Sequence, residues 1–420
     1  VDDPTPSRQP GVHGPRRRSL GDLFAHQESG LLIVIFLMGL GLTLFGMANP
    51  ITRSIPVPVA PDATVVFLDL DGAEHEPGTL SRSRTAGFLV RTGDSERTYS
   101  AADGWRYDAA KRTLYGERQV NAFLNKANLV LVAKDASFFA IMAVGMTAVI
   151  ILAGIDLSVG SIYGLSAIVG AMAMSSLGPD ANGFVAVAVG LAVCVGVGAL
   201  CGLANGSMTV GLGVHPFVIT LGMMAALRGL TIVLPSEFRN TQSIGGFPES
   251  FTSGFFKAEI LGVQPVPVIV MLIVAVAGWF TLSRTVFGRR VFAIGGNETA
   301  AKYAGIPVGR VKVLVYTIMG ALAGLSACVY LGYLGAAETN AGNAYELQVI
   351  AATVIGGASL MGGRGTALGA VLGAIVIQLI NNAMIILGVD PNYNQIVMGG
   401  AIIVAVVIDQ TKQRLAKRRG

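Results

Sequence analysis

Charge is scarce in this sequence: Asp, Glu, Lys and Arg make up 13% of its 420 residues, against about 25% in ordinary water-soluble domains. Histidine occurs four times and cysteine three. Cys194, Cys201 and Cys328 sit inside apolar segments at no metal-ligand spacing, so they predict neither a disulfide framework nor a zinc site, and no other metal site is expected. They are expected to be packing residues. The phosphate-cradling GxxxxGK[ST] loop is missing, and the dipeptide Gly-Lys occurs nowhere in the chain, so ATP is not expected to be hydrolysed here. No paired carboxylates, metal cluster or nucleophile-base constellation stands out, which leaves a membrane-bound enzyme without candidate machinery.

What the chain has instead is apolar surface and glycine: 52% hydrophobic residues and 55 glycines. A helix rises 1.5 Å per residue and needs about 20 residues to cross a hydrocarbon core. Runs of that scale lie near 31–49, 129–152, 160–177, 184–209, 215–234, 264–283, 311–333, 347–361, 366–388 and 394–409, the eighth being short and glycine-rich. The fold class expected is an all-α polytopic membrane protein of about ten transmembrane helices. The first run, Leu31 to Met47, follows Arg16, Arg17 and Arg18 and shows no small-residue cleavage site, so it is expected to be retained.

The net charge of +5 belongs to topology and not to nucleic acid. Placing the N-terminus in the cytoplasm puts Arg16 to Arg18, the loop with Arg284, Arg289, Arg290, Lys302, Arg310 and Lys312, and the tail from Lys412 to Arg419 on one side. The opposite short loops, 334–346 and 389–393, carry acids and no Lys or Arg. Both termini are then cytoplasmic, with a tail over 1–30, a first span over 31–50, a transmembrane core over 126–410 and a basic tail over 411–420. Residues 51–125 interrupt the pattern. Runs such as "TVVFLDLDG" and "AGFLVRTG" predict a small strand-rich extracytoplasmic insert, long enough to escape the positive-inside rule. The loop at 235–263 offers a second docking surface on that side.

Several residues stand out against this background. Asp156 in "AGIDLSVGS" is the acid nearest a membrane-embedded position, and such acids are costly. It is equally well placed as a helix N-cap, taking hydrogen bonds from the first free amides of the next helix. With Ser158, Asn205, Asn381 and Asn382 it forms a set expected to line a translocation path or to cap and cross-link helices. Arg228 lies within an apolar run and is expected to reach an interface or a water-filled path. Glu338 and Glu346 face outside as candidate partner contacts. Gly356, Gly357, Gly362, Gly363 and Gly365 supply either a hinge or a close helix crossing. The stretches "GIDLSVGSIYGLSAIVGA" and "IGGASLMGGRGTALGAVLGA" align by eye as tandem halves, each with the break in hydrophobicity expected of a discontinuous helix.

The loop "SRTVFGRRVFAIGGNETAAKYAGIPVGRVK" is too long for a plain connection between packed helices. Phe292, Ala293, Ala300, Ala301 and Tyr303 offer packing surface, while Gly295, Gly296 and Gly305 permit sharp turns, which suits docking into a partner's groove. This loop, with "AVGMTAVIILAGIDLSVGSIYGLSA", "FVITLGMMAALRGL", "GNAYELQVIAATVIGGASLMGGRGTALGAVLGA" and "INNAMIILGV", resembles the permease subunits of bacterial ribose-type monosaccharide ABC importers.

The resemblance runs from about residue 120 to 409. It implies a bacterial inner-membrane subunit that moves a monosaccharide or related polyol by alternating access. The partners implied are two cytoplasmic ATPase domains holding ATP and magnesium, an extracytoplasmic sugar-binding protein and a second permease copy or paralogue. No cofactor is implied on this chain. The coupling segment implied lies within 284–310 and contains Gly288, Arg289, Phe292, Gly295, Gly296, Asn297, Ala300, Ala301 and Gly305. The insert departs from the family pattern, and contact with the binding protein or a neighbouring subunit is expected of it. A secondary transporter or channel driven by an ion gradient is the alternative, but it needs an intramembrane relay for which only Asp156 and Arg228 are available.

Overall fold

The computed structural model describes residues 27–77, 84–93, 95–239, 241–260, 262–393, 395–401, 403, 404 and 407. The chain falls into two compact units, residues 39–129 and a larger unit made of 1–38 and 130–420.

Helix α1 (Gln27–Ala48) enters the smaller unit, whose described residues otherwise include seven strands. They are β1 (Ile51–Pro58), β2 (Thr64–Asp69), β3 (Glu74–His75), β4 (Thr85–Thr92), β5 (Ser95–Ser100), β6 (Arg106–Asp108) and β7 (Thr113–Val120). Three form a sheet in the order β1-β7-β6 and four form a second in the order β3-β2-β4-β5. β1 and β7 pair antiparallel along their whole length, from Ile51 opposite Val120 to Pro58 opposite Thr113. Alternating side chains bury Val65, Phe88 and Leu114, with Phe67 meeting Phe88 edge-on at 5.1 Å. A strand-rich insert is thus present.

The larger unit is helical. It contains α2 (Lys126–Ile151), α3 (Val159–Ser176), α4 (Gly183–Leu212), α5 (Pro216–Arg239), α6 (Val266–Arg284), α7 (Val286–Gly296), α8 (Glu298–Tyr303), α9 (Val308–Leu334), α10 (Tyr345–Ile355) and α11 (Ala367–Ile386). Among the described residues eight helices are long and apolar enough to cross a membrane: α1 to α6, α9 and α11. The chain is a polytopic membrane protein. One of the ten expected spans differs, and one lies largely outside the described residues. The eighth, 347–361, is an 11-residue helix, α10, followed by a non-helical glycine segment. The tenth is helical over 395–401, and its remainder lies largely outside the described residues, as do most of the expected N-terminal tail and the whole basic C-terminal tail.

Helix ends follow local chemistry. Asn182, Thr285, Asn297 and Thr366 each accept a backbone N–H of the first turn of α4, α7, α8 and α11. α2, α3, α9 and α11 bury most of their surface, whereas α4, α5 and α6 leave most of theirs outside the fold. Large apolar side chains on that outer surface, such as Leu272, Ile273 and Phe280 of α6, suit lipid.

Because lipid is as apolar as leucine, close packing and interhelical hydrogen bonds must hold the inner helices together. α4 and α9 meet backbone to backbone: a Cβ on Gly198 would run into the Gly320 carbonyl, and one on Gly320 into that of Gly198. Gly202 lies in the same way against Tyr316, and Gly324 against Cys194. Ser326 Oγ donates to the Phe138 carbonyl at 2.8 Å and ties α9 to α2. Ser161 Oγ donates to that of Met224 at 2.9 Å and ties α3 to α5.

Candidate functional site

Three features of the helical unit bear on function: a buried polar node, a cavity lined by amides and rings, and a backbone junction at the end of α7.

The node forms where α2 stops. Residues 152–158 are not helical although most of them are buried, and they connect α2 to α3, each long enough to cross a membrane, so the expected discontinuous helix is not what this stretch forms. Asp156 and Ser158 are wholly buried there, with Asn205 of α4. Asp156 Oδ1 accepts the Ser158 backbone N–H at 2.9 Å and its hydroxyl at 2.6 Å. Ser158 Oγ in turn accepts from Asn205 Nδ2 at 2.7 Å. Asp156 therefore closes a turn before α3 instead of capping the first helical amides, because the chain already bends onto Ser158 two residues on. Tyr316 of α9 approaches from the other side, its hydroxyl lying 2.7 Å from where a Gly154 Cβ would stand.

Asn381 and Asn382 do not join that node. They line a cavity of about 360 Å³ between α2, α9, α10 and α11, together with Lys134, Asp135, Phe138, Phe139, Tyr330, Tyr345, Gln348 and Gln378. Along α9 the two places are marked by Tyr316 and Tyr330, about 21 Å apart at 1.5 Å per residue. Asn381 Nδ2 makes long hydrogen bonds of 3.4 Å to Gln348 Oε1 and 3.3 Å to Gln378 Oε1. Phe139 and Tyr345 rings stand 4.6 Å apart, and Tyr163 packs behind them at 5.2 Å from Tyr345. Lys134 pairs with Asp135 at 3.1 Å and lies over the Tyr333 ring.

The sequence offered a partial signal for this cavity. Lys134 and Asp135 are adjacent charges within an apolar run, and Gln348 and Gln378 are amides at similar positions, yet none of the four stood out. Arg228 is half-buried and donates to the Ala341 carbonyl at 2.8 Å, so it braces the loop before α10. Glu346 turns inward against Gly160, within electrostatic reach of Arg228, while Glu338 stays exposed in the two-residue strand β9 (Ala337–Glu338), paired with β8 (Ser243–Ile244).

The loop singled out as coupling segment contains two helices. α7 buries Gly288, Val291 and Ile294 and exposes Arg289. Gly288 and Gly295 are sites of close approach, their Cβ positions falling on the carbonyls of Leu282 and Ile151. Phe292 is half-buried against the helical core and Ala301 is buried, so neither is a free docking face. Gly296, Asn297, Ala300, Tyr303 and Gly305 are exposed, with Gly305 in a left-handed turn at φ 78°. Asn297 Oδ1 accepts the Ala300 N–H at 2.9 Å. Glu298 bridges Lys302 at 2.9 Å and Lys312 at 2.8 Å, and these two ammonium groups hold its carboxyl below the ordinary value of 4.5. A cavity of about 500 Å³ lies beside this bridge, against the turn between α4 and α5.

The glycine cluster completes the junction. Gly356 is a close crossing, its Cβ position lying on the Gly369 carbonyl of α11. Gly357, Gly362 and Gly363 take left-handed φ values of 99°, 84° and 72°. Gly363 donates its N–H to the Ile151 carbonyl at 2.9 Å, the same carbonyl that Gly295 faces, and Gly365 packs on Ile151 and Thr147. The end of α7, the end of α2 and the break before α11 therefore meet at one backbone position.

Residues 128–406 match the family model described as the permease component of the branched-chain amino acid transport system. The ribose import permease protein RbsC of Escherichia coli K12 is 42% identical over 296 residues, covering 69% of this chain and 88% of the relative. The D-allose transport system permease protein AlsC of the same organism is 41% identical over 297 residues, with 71% and 87% covered. The galactose/methyl galactoside import permease protein MglC of Haemophilus influenzae is 36% identical over 299 residues, with 69% and 88% covered. No solved structure matches. Since the family model spans well over half of the chain, this protein belongs to the family of transport-system permease components and is a transport subunit, not an enzyme.

Proposed function

We propose that this chain is the membrane-spanning permease of an ATP-driven importer that carries a monosaccharide across the bacterial inner membrane. The observation that carries the proposal is the likeness to permeases named for ribose, allose and galactose, each aligned over 87–88% of its own length. ATP and magnesium belong to two separate ATPase subunits, consistent with the missing phosphate-binding loop. A sugar-binding protein delivers substrate outside, and a second permease copy or paralogue completes the path. Both termini and the α7–α8 segment face the cytoplasm, in keeping with the distribution of Lys and Arg. The exposed surface of α8 around Ala300 and Tyr303 meets the ATPase. Movement of α7 reaches the breaks before α3 and α11 through the Gly295, Ile151 and Gly363 backbones.

Purification from native membranes in mild detergent tests the assembly. Recovery of a Walker-motif ATPase with the chain, and ATP-dependent uptake of tritiated D-ribose, D-allose or D-galactose after reconstitution, is the expected result. A chain that comes out alone, under conditions that preserve other transporter complexes, favours an ion-driven transporter.

A further inference from the structure

We infer that the cavity between α2, α9, α10 and α11 is a binding site of the permease itself, built for an uncharged monosaccharide in its ring form. The inference rests on the sugar reading above and adds where, and in what form, the substrate is held. Its volume of about 360 Å³ lies at the small-ligand end of the usual range.

Four side-chain amides, Gln348, Gln378, Asn381 and Asn382, line the cavity, each offering a donor and an acceptor, and a sugar hydroxyl likewise both donates and accepts. Asn381 is the focus. Its amide reaches Gln348 and Gln378 only at 3.4 and 3.3 Å, while its buried Oδ1 has no partner. The Asn381 amide is held only by these two long bonds, so a sugar hydroxyl displaces either of them at little cost and receives Oδ1 as its acceptor once the amide turns toward the cavity.

The apolar part of the lining is aromatic. Phe139 and Tyr345, tilted by 49° at 4.6 Å, give the carbon-bound hydrogens of a sugar ring an apolar aromatic wall.

Charge sets the class. The two charged residues of the lining, Lys134 and Asp135, neutralise one another at 3.1 Å, and Lys134 is further held over Tyr333. A phosphorylated sugar or an amino-acid zwitterion would have to break this half-buried pair to find a counter-charge. A neutral polyol need not. Long amide bonds that exchange easily also suit a site from which substrate must leave again.

The test is equilibrium binding of tritiated D-ribose, D-allose and D-galactose to the purified permease–ATPase complex in nanodiscs, without binding protein. ATP-driven uptake is measured on the same preparation with binding protein restored. Saturable binding of at least one of the three is expected, with no competition from ribose 5-phosphate or leucine at 100-fold excess. The dissociation constant is expected to rise tenfold or more in Asn381→Ala and Gln348→Ala. Should these variants fold poorly, Leu334→Cys at the exposed rim of the cavity serves instead. Its reaction with a water-soluble maleimide, above the background of the native cysteines, is expected to slow at least threefold in saturating sugar. A complex that transports a sugar but binds none, unchanged affinity in folded variants, unslowed labelling of the rim cysteine, or competition by leucine overturns this inference and leaves the importer intact. A preparation with its ATPase and binding protein that transports none of the three overturns both.

Discussion

Asp156 brings an ionisable group to a place with no solvent exposure, where its described hydrogen-bond partners are neutral. Its Oδ1 takes two hydrogen bonds from Ser158, so the value of the residue lies in an acceptor at that point more than in charge. Asp156→Asn keeps an oxygen there and is expected to unfold near the wild-type temperature in detergent. Asp156→Ala leaves a buried N–H and hydroxyl unpaired, at about 1–3 kcal/mol, and its unfolding midpoint is expected to fall several degrees below that of Asp156→Asn. Equal midpoints would show that the node does not hold α3 in place. Glu298 makes the opposite case, since its value is its charge. Its carboxyl is held below 4.5 in the folded chain, so the two lysine pairs contribute stability that is fully present above that value and lost as pH falls through the lower folded value. The stability gap between wild type and Glu298→Gln, followed by thermal unfolding, is expected to be constant above about pH 5 and to close below it. The sequence made part of the first site legible. Asp156 stood out as an acid in an apolar stretch, whereas Glu298 did not stand out, although Lys302 lies one helical turn from it. Asn205 and Lys312 reach these sites only through helix crossings that no local spacing encodes.

At the scale of the element, glycine separates into kinds that look alike in sequence. Gly196 and Gly202 sit on the same helix, yet a Cβ on Gly196 meets nothing within 4 Å, while one on Gly202 enters the Tyr316 carbonyl. Gly202→Leu is therefore expected to push α4 from α9 and destabilise the purified chain by at least the ~1–3 kcal/mol of an overpacked core. Gly196→Leu, facing outward, is expected to leave the unfolding midpoint unchanged. Equal losses in the two variants would mean that helix propensity or lipid contact, and not the α4–α9 crossing, sets the cost. Spans were legible wherever an apolar run exceeded about 18 residues. The run at 347–361 failed because Gly356 and Gly357 end the helix: the first lets α11 approach and the second takes a φ of 99°. In the loop 284–310 the sequence did not show which residues face outward. Alternating burial along α7 turns Val291 and Ile294 inward, and the short helix α8 buries Ala301 while leaving Ala300 outside.

For the whole molecule, the match to permease components begins at residue 128, a few residues beyond the last strand of the strand-rich unit. That unit has its own apolar centre in Val65, Phe88 and Leu114 and its own ion pairs, Arg91 with Glu74 and Glu96. The sequence revealed it by the interruption of apolar runs and by β-branched alternation. The division into two sheets was not legible, because strand order depends on pairings between distant segments, such as Thr52 with Gln119. The pairing of β1 with β7 provides a clean place to cut: Pro58 lies opposite Thr113, so residues 59–112 can be replaced by a two-residue Asn-Gly turn that keeps the strand pair. The shortened chain is expected to reach the membrane and to unfold at the temperature of the full helical unit, because 128–406 alone corresponds to the family model. Uptake, or recovery of partner subunits, is expected to fall at least several-fold, since a folded module absent from the matched region is retained most simply for contact with the binding protein or a neighbouring subunit. Unchanged uptake together with unchanged complex assembly would remove that role and leave the strand-rich unit as an addition that transport does not use.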